Sequence, residues 1–151
     1  MPDRKDEDMP PRMTKTKEGY YKGQHSFFLL QYHLVLVTKY RRPVLNDKIA
    51  DYLKDYTKRY FGERSAPVSS IEVMPDHIHI LFETAPTHCL SEFINAYKSA
   101  SSRLIRSQYK DEIAKWYSKP ILWSTTYFIG SVSERTAKAV KHYIETQKDA
   151  D

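Results

Sequence analysis

Apolar positions along this chain recur with two periods, two and about 3.6, and the switches between them divide it into alternating strands and helices. From Phe27 to Thr38 runs an apolar, β-branched and aromatic stretch without Gly or Pro, the pattern of a strand buried on both faces. After Lys39-Tyr40-Arg41-Arg42-Pro43, Asn46 or Asp47 can cap a helix in which Ile49, Tyr52, Leu53, Tyr56 and Tyr60 recur at helical spacing, with Gly62 as the stop. Ser69–Met74 and His77–Glu83 alternate with a period of two and are separated only by Pro75-Asp76, which predicts a tight hairpin. A long helix is expected over Leu90–Tyr109, with Leu90, Phe93, Ile94, Tyr97, Leu104 and Ile105 as its buried stripe. Trp116–Pro120 reads as loop and Tyr127–Val132 as a strand, and Ser133 caps a last helix running to about Lys148.

Strand, helix, strand, strand, helix, strand, helix is the order of an α+β, ferredoxin-like (RRM-like) antiparallel sheet, with helices on one face and an added C-terminal helix. Residues 1–23 show neither period and are rich in Lys, Asp, Glu, Pro and Thr, so they read as a flexible polar tail preceding one domain over residues 24–151. A chain of 151 residues suffices for one hydrophobic core and not for two large ones. No apolar run approaches the roughly 20 residues needed to cross a bilayer, and the polar N-terminus lacks the apolar stretch of a secretory signal. No membrane association and a cytoplasmic location are expected.

Charge and cysteine content narrow the chemistry. Cys89 is the only cysteine, which excludes an internal disulfide and a cysteine-rich zinc site; it reads as a small hydrophobe at a helix start. The net charge of +5 suits a polyanionic partner without demanding one. Its distribution is more telling, because Lys39, Arg41 and Arg42 crowd the end of the first strand while Lys98, Arg103 and Arg106 share one helix. Such runs are also what any solvated face carries.

Two places could support catalysis. His77 and His79 fall on one face of their strand with α-carbons about 6.5–7 Å apart, so both imidazoles can converge on one ion. The same pair is equally compatible with hydrogen-bonded core histidines or with exposed ones. On the last helix Tyr143 and Gln147 are four residues apart and stack on one face. With its ordinary pKa about 10, a tyrosine hydroxyl needs a metal or base nearby to act as nucleophile, and spacing alone does not single out Tyr143 among twelve tyrosines. Tyr127 reads as a packing residue and His142 as surface.

Several segments in order then resemble one family. Tyr32-His33-Leu34-Val35 through Lys39-Tyr40-Arg41-Arg42-Pro43-Val44-Leu45, Pro75-Asp76-His77-Ile78-His79-Ile80-Leu81, Phe93-Ile94 with Lys98–Arg106, Leu122-Trp123-Ser124, and Val140–Gln147 are similar to the HUH single-tyrosine transposases, or TnpA, of small bacterial insertion sequences. The resemblance spans roughly residues 25–148. It implies that His77, His79 and Gln147 hold a divalent metal, Mg²⁺ or Mn²⁺, and that Tyr143 attacks a phosphate of single-stranded DNA to leave a 5′-phosphotyrosine. It further implies a homodimer, in which the tyrosine helix of one subunit can complete the histidine site of the other, and DNA carrying subterminal hairpins. Lys39, Arg41, Arg42, Lys98, Arg103 and Arg106 would then hold phosphates. Where relatives often carry glycines before the tyrosine helix, this chain has Gly130-Ser131-Val132-Ser133-Glu134, an ordinary capped helix start.

Three readings follow. The first is a DNA strand transferase. The second is a non-catalytic module binding hairpin DNA or RNA, since ferredoxin-like sheets often bind nucleic acid without chemistry. The third, a metal-dependent hydrolase using water, lacks the clustered carboxylates of such sites, with Asp76 and Glu83 standing alone in sequence.

Overall fold

The centre of the fold is the strand whose residues are apolar on both sides. In a computed structural model that describes residues 14–147, this strand is β4 (Gln31–Thr38), and Leu34 to Thr38 are all buried. Naming the elements in chain order, the short strands β1 (Thr14–Lys15), β2 (Tyr21–Lys22) and β3 (Phe27–Phe28) precede it. Helix α1 (Asp47–Gly62), the hairpin β5 (Val68–Met74) and β6 (His77–Glu83), helices α2 (Leu90–Gln108) and α3 (Lys110–Ala114), strand β7 (Trp123–Ser131) and helix α4 (Glu134–Thr146) follow.

The main sheet has the order β5-β6-β4-β7 and every neighbouring pair is antiparallel, as the ferredoxin-like reading requires. Period-two alternation sends Leu34, Leu36, Ile78, Ile80 and Phe82 to one face. There they form the main core with Ile49, Leu53 and Phe61 of α1 and Phe93, Ile94, Tyr97 and Ile105 of α2. Val35 and Val37 point to the other face and are covered by Val140, Tyr143 and Ile144 of α4 together with Phe128. Two helices therefore cover one face and the C-terminal helix covers the other.

Local signals account for most boundaries. The Asn46 side chain accepts from the Ile49 amide and starts α1, and that helix ends on Gly62 as expected. Ser133 caps α4 by accepting from the Thr136 amide. The Pro75-Asp76 pair joins β5 to β6.

Several expectations are corrected. Within the expected tail, residues 14–23 instead form β1 and β2, which pair with β3 in a small three-stranded ribbon. Tyr21 stacks on Phe28 there, and Lys15 reaches Glu83 of β6 at 3.2 Å; residues 1–13 lie outside the described residues. The expected strand over residues 27–38 is divided at Leu29-Leu30, and Phe27 is 68% exposed, so two-sided burial holds only from Leu34 onward. Strand β7 begins at Trp123 rather than Tyr127, and α3 appears where no helix was expected. Cys89 is exposed, at the N-cap of α2. Helix α4 ends at Thr146, while Lys148 lies outside the described residues. Among the described residues no helix is long and apolar enough to cross a membrane.

Candidate active site

The sheet face under α4 gathers most of the residues with chemical potential. In the β4–β6 register Val37 lies opposite His77 and Val35 opposite His79, and Glu72 and Met74 of β5 flank the two histidines on their other side. Cross-strand partners share a face, so both imidazoles stand beside the valines against which Tyr143 packs. The stripe of α4 that meets the sheet runs through Val140, Tyr143 and Ile144, at the three- and four-residue spacing of one helix face. Tyr143 lies 5.6 Å from the Phe128 ring, centroid to centroid. Its hydroxyl is buried without a hydrogen-bond partner among the described residues, so neither imidazole is in hydrogen-bonding contact with it. Gln147, half-buried, is the C-cap of the helix, and its backbone N–H donates to the Tyr143 carbonyl at 3.1 Å.

Each histidine has one ring nitrogen committed. His77 Nδ1 lies 2.8 Å from Asp76 Oδ1, and Asp76 Oδ2 accepts from Arg41 Nε at 2.9 Å. Burial alone would raise the Asp76 pKa, but the hydrogen bonds from His77 and Arg41 outweigh it and hold the carboxyl below its ordinary range. His79 Nε2 lies 2.8 Å from Nδ1 of His33 on β4. Burial lowers the pKa of both; in His79 the neighbouring His33 adds to the effect. Both rings are thus neutral at pH 7, the state a metal ligand requires. With His79 Nε2–H as the donor in this pair, its Nδ1 lone pair stays available.

Two of the three expected ligands stand on one sheet face, and each keeps a ring nitrogen able to bind a divalent metal. His77 is left with Nε2, and His79 with Nδ1. Among the described residues no group of three His, Cys, Asp or Glu side chains converges on one point. A third protein ligand would therefore have to be of another type, as the Gln147 carboxamide is.

Sequence reasoning missed His33 and the contacts of Asp76. Alternation puts His33 on the same face of β4 as Val35 and Val37, but only the register, with His33 opposite Leu81, makes it the diagonal neighbour of His79. Asp76 is bonded to His77 and Arg41, and Glu83 Oε1 accepts from Lys15 and Gln31.

Among the described residues, the lysines and arginines other than Arg41 make no hydrogen bond or ion pair with His77, His79 or Asp76. Arg41 is turned inward to Asp76, its side chain only 15% exposed, and so is less open to phosphate than expected. Lys39 and Lys98 approach one another, and burial first, then the charge of Lys39, lowers the Lys98 pKa. Lys98 Nζ also donates to the Thr125 carbonyl at 3.2 Å. Arg42 and Arg103 are exposed. Arg103 and Arg106 line an open cleft of about 440 Å³ with Lys110, Tyr117 and Lys119. Because α2 packs on the face opposite the histidines, this cleft is across the sheet from Tyr143.

Comparison with known proteins bears on the fold and the family. The 130-residue match to the ISDra2 transposase TnpA of Deinococcus radiodurans is 36% identical, covering 86% of this chain and 92% of the relative. The transposase for insertion sequence element IS200 of Salmonella typhimurium is 27% identical over 127 residues, 84% of this chain and 82% of that one. Among solved structures, a Deinococcus radiodurans R1 protein assigned as a transposase superposes with a TM-score of 0.76 at 36% identity, over 85% of this chain and 98% of the other. A REP-associated tyrosine transposase bound to a REP hairpin shares the fold alone, with a TM-score of 0.50 at 11% identity over 90% and 76% of the two chains. Residues 26–147 match the family described as "Transposase IS200 like", and the chain belongs to that family.

Proposed function

We propose that this transposase is a metal-dependent enzyme that cleaves and rejoins single-stranded DNA through a 5′-phosphotyrosine at Tyr143, and so excises and inserts an insertion sequence. The observation that carries the reading is that α4 packs its Tyr143 stripe on the sheet face that bears His77 and His79. Tyr143 Oη forms a bond to phosphorus as the bond from phosphorus to the 3′ oxygen breaks; the phenol loses its proton and the departing oxygen gains one. A 3′-hydroxyl then attacks the same phosphorus and expels the tyrosine, so the energy of the phosphodiester is kept in the protein–DNA bond and no nucleotide cofactor is needed. His77, His79 and Gln147 would hold Mg²⁺ or Mn²⁺, which when bound supplies a Lewis acid for the phosphate oxygens. All three ligands are neutral, so they leave the ion's charge undiminished.

The substrate on this reading is DNA with subterminal hairpins, and the working form is a homodimer, because two strand cleavages require two nucleophiles and each subunit carries one. The REP hairpin held by a protein of the same fold supports hairpin recognition. A protein that only binds hairpins would have no use for a tyrosine kept on the histidine face. The deciding assay incubates the protein with Mn²⁺ and a labelled single-stranded oligonucleotide bearing a terminal hairpin. A covalent adduct that survives denaturation and is absent from Tyr143→Phe is expected; a native-gel shift with no adduct would mark a binding module, and free 5′-phosphate without adduct a water-using hydrolase.

A further inference from the structure

The two-residue turn between β5 and β6 is tied down more firmly than a hairpin turn needs. The Asp76 carbonyl accepts from the Thr38 amide at 3.0 Å, with Thr38 Oγ1, which donates to the Arg42 carbonyl at 2.7 Å, lying 3.2 Å from it, while the Pro75 carbonyl accepts from the Leu45 amide at 2.9 Å. The donors come from the last residue of β4 and from the segment that follows it, whose 3-10 turn Lys39–Arg41 holds both Tyr40 and Arg41 in the left-handed region, at φ 55° and 51°. For residues with a Cβ such conformations are disfavoured, because the side chain crowds the following carbonyl. The Tyr117 hydroxyl, donating to the Lys39 carbonyl at 2.5 Å, buttresses the same turn. The outcome is that Arg41 Nε is aimed at Asp76 Oδ2 while Oδ1 faces His77.

We propose that Asp76, braced by Arg41, is a positioning residue that fixes the ring orientation and tautomer of His77. The relevance of this to catalysis rests on the reading of His77 as a metal ligand; the geometry does not. An ionised carboxylate only accepts, so both of its neighbours donate. His77 Nδ1 therefore carries the proton and Nε2 carries the lone pair. The ring cannot flip without breaking a 2.8 Å charge-assisted bond, and Asp76 cannot follow it without leaving Arg41. Two strained backbone residues are thus spent on a charge that faces inward, where it serves the histidine rather than DNA.

Nitrogen-15 NMR of the metal-free full chain reads the tautomer directly. The wild type is expected to show His77 protonated at Nδ1, and Asp76→Ala to show a mixture with the Nε2–H form. Titration with Mn²⁺ alone should then show Asp76→Ala weakened about 10- to 100-fold, the usual effect of losing such a partner. Arg41→Ala should be weakened less and in the same direction, and Asp76→Asn, whose carbonyl oxygen still accepts, should recover most of the loss. Affinity for a hairpin oligonucleotide should stay within about twofold in both Asp76 variants, since a carboxylate makes no phosphate contact. A His77 ring protonated at Nε2 in the wild type, or an unchanged tautomer in Asp76→Ala, would overturn the proposal; if Asp76→Ala does not fold, the wild-type spectrum and Arg41→Ala still decide. A His77→Ala variant that keeps full Mn²⁺ affinity would instead sink the metal-ligand reading and leave the positioning claim standing on the tautomer alone.

Discussion

At Tyr143 the demands of packing and of chemistry are opposed. The ring packs well against Val35, Val37 and Phe128, yet its hydroxyl is buried with no hydrogen-bond partner among the described residues. A buried hydroxyl left unpaired costs about 1–3 kcal/mol. Tyr143→Phe should accordingly melt no lower than the wild type, and up to a few degrees higher, while forming no adduct; Tyr143→Ala, which loses the packing as well, should melt distinctly lower. Calorimetry of the two variants without DNA checks this, and a drop in melting temperature for the phenylalanine variant would mean that the hydroxyl is satisfied in solution. The sequence made His77 and His79 legible because a period of two fixes their common face whatever the fold. It could not reveal His33 or Asp76 as their partners. The first depends on strand register and the second on the direction a turn side chain takes, and neither leaves a periodic trace.

Among the elements, α4 is the one whose placement decides the site, and Gly130 is what lets its first turn sit close to β7. A Cβ built on Gly130 would lie 2.8 Å from Thr136 Cγ2 and 3.0 Å from the Phe128 ring. Thr136 cannot swing aside, because it is buried and its hydroxyl is bonded to both Ser133 and the Ser131 carbonyl. Gly130→Ala is therefore expected to destabilise by about 1–3 kcal/mol, the range for overpacking, and to speed amide exchange specifically in α4. Adding Thr136→Ser, which keeps the hydroxyl and deletes the clashing methyl, should restore part of the loss. Exchange that rises evenly over the whole sheet would show that Gly130 serves the strand rather than the helix seat. The helices that carry an apolar stripe, α1, α2 and α4, were readable from the sequence, α1 and α4 also from their capping side chains. The ribbon of β1 to β3 was not, because strands of two residues are too short for a period and their order comes from long-range contacts such as Lys15 with Glu83.

Over the whole molecule the sheet separates two kinds of surface. Tyr143, His77 and His79 occupy one face. Arg103 and Arg106 belong to α2, which packs on the other and opens the basic cleft there. Sequence alone showed that both arginines share a helix but not which side of the sheet that helix covers, since an antiparallel sheet of this order could carry its chemistry on either side. The separation predicts that affinity and chemistry can be uncoupled. Replacing both arginines with alanine removes up to two phosphate contacts, which for single strands lowers the slope of log affinity against log salt by roughly 0.7 per contact. Binding of a hairpin oligonucleotide should weaken and become less salt-sensitive, by about 1.4 in slope if both contacts are made, while the rate of adduct formation at saturating DNA stays within about twofold of wild type. Fluorescence anisotropy over a salt series, paired with single-turnover adduct assays, measures both quantities on the same protein. A variant with unchanged salt slope would remove the cleft from the DNA path, and one whose saturated rate collapses would mean that substrate held on the helical face reaches round the sheet edge to align the scissile phosphate.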